Sequence, residues 1–223
     1  MIDDRMAARL GWSVPAITLT LSSLIHLISG NHRAFPFFIS ESDYPGLERW
    51  VFTAGLVATG FILCYVSYRL WVVKLEDSRK LFMHASLLCG IWVGGNLVVM
   101  SFANMYDYPE WHIITAVNVF HFGIAWGIIA HIAVKHSKPI VKKMRIASVA
   151  TAFIAFMAMS WAMGKAFKEN PDAFDPLTLP ESLNAVQSWI NIAAPFEYIL
   201  AIGLFLTLAS FEFDVIVDSD EEE

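Results

Sequence analysis

Charge is what this sequence has least of. Only 16% of its 223 residues are Asp, Glu, Lys or Arg, while 57% are apolar, against the roughly 25% charged residues of an ordinary soluble domain. The few charges fall in short segments between long apolar stretches, the pattern of a chain whose solvent is lipid and whose loops alone meet water. Excess positive charge is also missing: the formal net charge is -6, which excludes a nucleic-acid partner, because a phosphate-binding surface needs a surplus of Lys and Arg. Cysteine is limited to Cys64 and Cys89, both inside apolar stretches, so no extracellular disulfide framework is available. No N-x-[ST] acceptor, phosphate-binding loop, nucleophile elbow, H-E-x-x-H or C-x-x-C occurs. Recognisable ATP-driven, hydrolytic or metal-centred machinery is thereby excluded, and no metal site is expected. Internal repeats and low-complexity stretches are absent as well.

What is present is six apolar segments, at about 11–30, 50–73, 83–103, 111–134, 145–164 and 186–210, each of the length a tilted transmembrane helix needs. They predict an all-α fold, an integral membrane six-helix bundle filling residues 1–210, followed by an acidic cytoplasmic tail at 211–223. The first segment follows a polar run and is about 20 residues long, longer than the apolar region of a cleaved signal peptide. Orientation follows from the basic residues. With the N-terminus inside, eleven fall on the cytoplasmic side (Arg5, Arg9, Arg69, Lys74, Arg79, Lys80, Lys135, Lys138, Lys142, Lys143, Arg145) and four outside (Arg33, Arg49, Lys165, Lys168). That asymmetry over short loops places both termini in the cytoplasm.

The outer loops, NHRAFPFFISESDYPGLER at 31–49 and KAFKENPDAFDPLTLPESLNA at 165–185, mix prolines, acids and aromatics, as expected of ordered turns capping a bundle. Trp50, Trp111 and Trp189 stand where helices would meet the outer interface and read as an aromatic belt. The tail FEFDVIVDSDEEE reads as a solvated acidic run. Gly90-x-x-x-Gly94 and Gly123-x-x-x-Gly127 predict close approach of the third and fourth helices.

Polar groups at membrane depth need an explanation, and Asn96, His112, Asn118, His121, Asn191 and Glu197 are the positions concerned. Glu197 lies about 12 Å below the outer end of the sixth helix at 1.5 Å per residue, with no basic residue on that helix. Pro195 just before it removes a helical N–H and favours a local polar pocket. Asn118 and His121, three residues apart, share a helix face from which they could reach Glu197. A polar pocket of Asn118, His121, Asn191 and Glu197, for a lipid headgroup or a proton, is one reading; a hydrogen-bond network holding helices together is the other. His112 and His121, with Glu197, are the candidates for acid–base chemistry. A third arrangement pairs His84 with His131 near the cytoplasmic ends and His26 with His112 near the outer ends, the layout of a transmembrane diheme carrier. Outside that alternative no cofactor is expected.

The first outer loop, Pro36-Phe37-Phe38-Ile39-Ser40-Glu41 with Pro45 and Glu48-Arg49 downstream, resembles the P-[FY]-I-S-[DE] signature of the Frag/DRAM/Sfk family of six-helix membrane proteins. His112, Ala116, Phe120 and Gly123, preceded by Asn104, resemble its H-x3-A-x3-F-x2-G pattern. Ala193-Ala194, Glu197 followed by an aromatic, and Phe205-x-Thr207 resemble its A-A-E-W segment and F-x-L-T ending. The resemblance spans nearly the whole chain and agrees with the helix count. It implies a multi-pass regulator of membrane lipid organisation or of autophagy and the lysosome, in the plasma membrane or in endomembranes such as lysosome and Golgi. Membrane lipids and a membrane protein would be its partners, and Pro36, Ile39, Ser40, Glu41, His112 and Glu197 its characteristic positions. Relatives that remodel GPI-anchor lipids supply an alternative, a lipid-remodelling transferase.

Overall fold

The structure, a computed structural model, describes residues 3–179 and 181–220. Its elements are helical throughout: α1 (Asp4–Ile28), a 3-10 turn (Ile39–Ser42), α2 (Leu47–Lys74), α3 (Lys80–Phe102), α4 (Pro109–Ala133), α5 (Pro139–Glu169), the short α6 (Glu181–Ala185) and α7 (Gln187–Asp220). Among the described residues the one β-type contact is a bridge between Ser78 and Val134. Six helices are long and apolar enough to cross a membrane, and 28–44% of each span's most apolar stretch is buried inside the bundle. The rest of each span therefore faces outward with side chains such as Ile17, Phe61, Leu88 and Ile154 exposed, a surface that lipid satisfies and water does not. The architecture is that of a multi-pass membrane protein.

Local sequence explains where the helices start and stop. The Asp3 side chain accepts the Met6 N–H at 2.6 Å, so α1 begins before the apolar segment does. Pro109 and Pro139 occupy the first turns of α4 and α5, where a missing N–H costs nothing. Gly30 follows α1 at φ 74°, a conformation that glycine adopts freely.

Each long helix packs on the next in sequence, and α7 packs on α5 and α1, closing a ring. Small residues set the tightest contacts. A Cβ on Gly94 would lie 2.5 Å from the Gly60 carbonyl, and one on Gly90 would meet Ser67. The Gly90/Gly94 pair thus seats α3 on α2. Gly123 and Gly127 face Leu204, and Val149 and Thr207, respectively, so the second pair seats α4 on α7 and α5. The third and fourth helices do pack together as expected, with Gly90 facing Trp126 across that contact, while the tightest approaches of the two motifs are to α2, α5 and α7.

The N-terminal end of α1 and the C-terminal end of α7 lie on one face of the bundle, the termini face, where polar pairs latch the ring. Arg9 Nε and Trp12 Nε1 donate to the two Glu212 carboxylate oxygens, each at 2.8 Å, and Arg69 pairs with Asp4. Arg145, 1% exposed, pairs with Asp214, donates to Ser210 Oγ at 2.8 Å and lies 3.7 Å over the Phe211 ring. Residues 211–214, expected as the start of a solvated tail, therefore continue α7 with Glu212 and Asp214 buried, because three cations and donors on α1 and α5 draw them inward. Residues 221–223 of that tail lie outside the described residues.

Candidate functional site

On the face opposite the termini the loop 31–46 folds back into the mouth of the ring. Phe37, Phe38 and Ile39 are buried, which is why so apolar a stretch lies in a loop: it serves as the lid of the bundle's interior. The 3-10 turn is held by its own acid, since Glu41 Oε1 accepts the Phe38 N–H at 2.9 Å, a short-range cap. Arg33 forks the same carboxylate, with Nη2 2.9 Å from Oε1 and Nε 2.7 Å from Oε2, and its other arm donates to Gln187 on α7. Gln187 Nε2 in turn donates to the Pro36 carbonyl at 3.0 Å, beyond the cis Phe35–Pro36 bond. The α3–α4 connection braces the lid from the other side: Tyr106 Oη donates to the Glu41 carbonyl at 2.9 Å, and Ser40 Oγ to Met105 Sδ at 3.3 Å.

Glu197 joins this lid to the membrane-embedded core. Its Oε2 accepts the Ile39 N–H at 2.7 Å, 158 residues away in sequence. Beneath the lid lies a cavity of about 120 Å³ between α1, α2, α3, α4 and α7, roofed by Ile39 and Ser40. Its wall is apolar, with Leu56, Val93, Leu97 and Phe120 among the lining; apart from Thr59, whose hydroxyl is spent on the Gly55 carbonyl, its polar groups collect at two ends. At the lid end stand Ser40, His112 and Glu197; at the other, Ser67, Trp126 and Thr207. Counting 1.5 Å per residue from His112 to Trp126 along α4, or from Glu197 to Thr207 along α7, the cavity extends about 15–20 Å. So long a space of so small a volume is narrow.

The expected pocket is divided. Asn118 holds the Trp92 indole N–H at 3.1 Å and caps the Ile114 carbonyl. His121 is exposed on the outer surface, bonded to the Val117 carbonyl and edge-on to Phe156. Asn191 is exposed and bonded to Gln187. None of the three reaches Glu197, which points instead to the ring's interior and the lid, where the Ile39 N–H meets it. Pro195 lies within α7 on an exposed face. His112 borders the cavity with Nδ1 bonded to the Ala103 carbonyl at 2.8 Å. Of the other histidines raised as heme ligands, His26 is buried against Glu48, Phe37 and Tyr44. His84 is exposed beside Trp71, and His131 is half-buried on the termini face. Only His112 of the four touches the cavity, so no facing pair is assembled around a space for a ring-shaped cofactor.

Burial dominates the electrostatics of the lid. It pushes the Glu41 carboxyl above its usual range despite Arg33. It raises Asp43 from 3.8 to about 7, an effect that Arg49 opposes and Asp107 adds to, and both Asp43 oxygens lack a hydrogen bond. The Tyr106 hydroxyl is likewise held well above its usual value by burial. Arg33, Gln187, Asp43 and Tyr106 were not singled out from sequence. The available signal was an acid- and Arg-bearing loop too apolar to be only a loop. The chain matches no family model, no curated protein and no solved structure.

Proposed function

We propose that this chain is a multi-pass membrane regulator of the Frag/DRAM/Sfk type whose central cavity holds a single lipid chain beneath the 31–46 lid. The observation that carries the reading is the cavity itself: narrow, apolar along its wall, polar at the lid, and closed by a loop that a buried Glu197 anchors to the core. Its volume is close to that of an apolar cavity that binds benzene and far below the roughly 300–1,000 Å³ of a drug-sized site. A short stretch of one hydrocarbon chain, about the six carbons of benzene, fits such a space, and a two-chain lipid does not. The resemblance in the lid and on α4 points the same way, to membrane lipid organisation. The test is lipid analysis of the gently purified protein beside Ala116→Phe, which fills the cavity from α4. Lipid that co-purifies with the wild type and is lost from the variant supports the reading; equal lipid content in both removes the cavity from it.

A second reading, the lipid-remodelling transferase, draws on His112 and Glu197 sharing one cavity, with the imidazole as base. Glu197→Gln separates the two. An amide still accepts the Ile39 N–H, so the lid stays in place, whereas a transferase loses its carboxylate and the cell's lipid profile shifts. An unchanged profile favours the regulator.

A further inference from the structure

The polar groups at the lid end of the cavity offer hydrogen-bond acceptors and no fixed positive charge. Ser40 Oγ spends its hydrogen on Met105 Sδ. His112 Nδ1 faces a carbonyl oxygen, which can only accept, so Nδ1 carries the proton and Nε2 of the uncharged ring is an acceptor. Glu197 commits Oε2 to the Ile39 N–H, and no protein donor meets Oε1 among the described residues. No Lys or Arg lines the cavity. Arg33, the guanidinium of the lid, is held by Glu41 and Gln187. A buried phosphate or carboxylate head would therefore meet no cation, and at His112 a nitrogen that only accepts, an arrangement that leaves its charge uncompensated.

We infer that the cavity's ligand is a single-chain amphiphile whose head donates hydrogen bonds and carries no negative charge, an alcohol or an amine, bound through His112 Nε2 and Glu197. This rests on the lipid-chain reading above and narrows it to a head chemistry. A second feature at the far end supports occupation by a molecule. Trp126 is 5% exposed, lines the cavity, and its indole N–H is buried with no acceptor, although buried polar hydrogens are nearly always satisfied. Within about 5 Å of it lies Ser67 Oγ, since both approach the same point over Gly90, at 3.1 and 1.9 Å. One water between the ligand's apolar end and this pair would complete it.

The experiment is native mass spectrometry of the full-length protein released from detergent after incubation with four probes of equal chain length: a primary alcohol, a 1-monoacylglycerol, a primary amine and a fatty acid. Donor-headed probes are expected to be retained about tenfold over the acid at a pH where the acid is ionised, the cost of one unmade buried hydrogen bond or more. His112→Leu, which keeps the bulk and removes the acceptor, should cut that preference severalfold while chains still bind. Should His112→Leu fold poorly, the wild-type ranking alone decides. Fatty acid retained as well as or better than the alcohol overturns the head assignment and leaves the cavity reading standing. Retention of none of the four overturns both.

Discussion

At the residue scale the lid's buried acids are where chemistry and stability meet. Asp43 keeps its proton longer in the fold than in the unfolded chain, because burial lifts it from 3.8 to about 7. Its contribution is therefore most favourable in acid, declines as pH rises through that window, and is constant above it. Glu41, raised for the same reason, acts in the same direction. Asp43→Asn removes the penalty, so its thermal midpoint in detergent should exceed the wild type's at about pH 8 and converge on it near pH 4. A wild-type midpoint that climbs across this range, with the variant following it, would mean that Arg49 fully compensates the charge. Glu197 makes a different claim. If its role in the lid is to accept one N–H, Glu197→Gln should be close to neutral, whereas Glu197→Ala should cost about 1–3 kcal/mol, the penalty of an orphaned buried donor; chemical denaturation of both variants measures the difference. Sequence made Glu197 conspicuous as a lone carboxylate at depth, but its partner is a backbone amide 158 positions away, and no side-chain pattern marks a backbone donor.

Helices were legible as elements because their apolar runs are long. Their extents were less so, since caps and ion pairs continue a helix past its hydrophobic stretch. Arg145 shows how: it was counted with the basic residues of a cytoplasmic loop, yet α5 begins six residues earlier, at Pro139, and carries Arg145 into contact with Asp214 and Phe211. Removing one partner leaves the other charge buried, so Arg145→Ala should destabilise by about 3–5 kcal/mol. The double variant Arg145→Met with Asp214→Leu should recover most of that loss, and a cycle of the four proteins by thermal unfolding measures the coupling. Between α5 and α7 the contact is closest at Gly203, where a Cβ would lie 2.9 Å from the Ala152 nitrogen. Gly203→Val should separate the helices at a cost of about 1–3 kcal/mol, readable as a lowered midpoint without loss of helical content in circular dichroism.

For the whole molecule, the basic-residue asymmetry predicts that the termini face is cytoplasmic. In a background lacking Cys64 and Cys89, a cysteine at Ser29 should react with a membrane-impermeant reagent added outside intact cells, and one at Lys138 only after permeabilisation; the reverse pattern inverts the topology. Six apolar runs separated by charged turns were enough to determine a membrane-embedded all-helical bundle, because the bilayer leaves a spanning chain of that composition little alternative to satisfying its backbone internally. The sequence alone also determined that the 31–49 loop and Glu197 are unusual. Only the tertiary structure decided that these two belong together, that Asn118 and His121 lie on a different side of the ring, and that a narrow space remains beneath the lid. The physical reason is that helical periodicity fixes which residues share a face but not which neighbour that face meets. Ring closure by α7 against α1 and α5 turned Glu197 inward, and small residues such as Gly60, Gly94 and Gly203 set how much room was left inside.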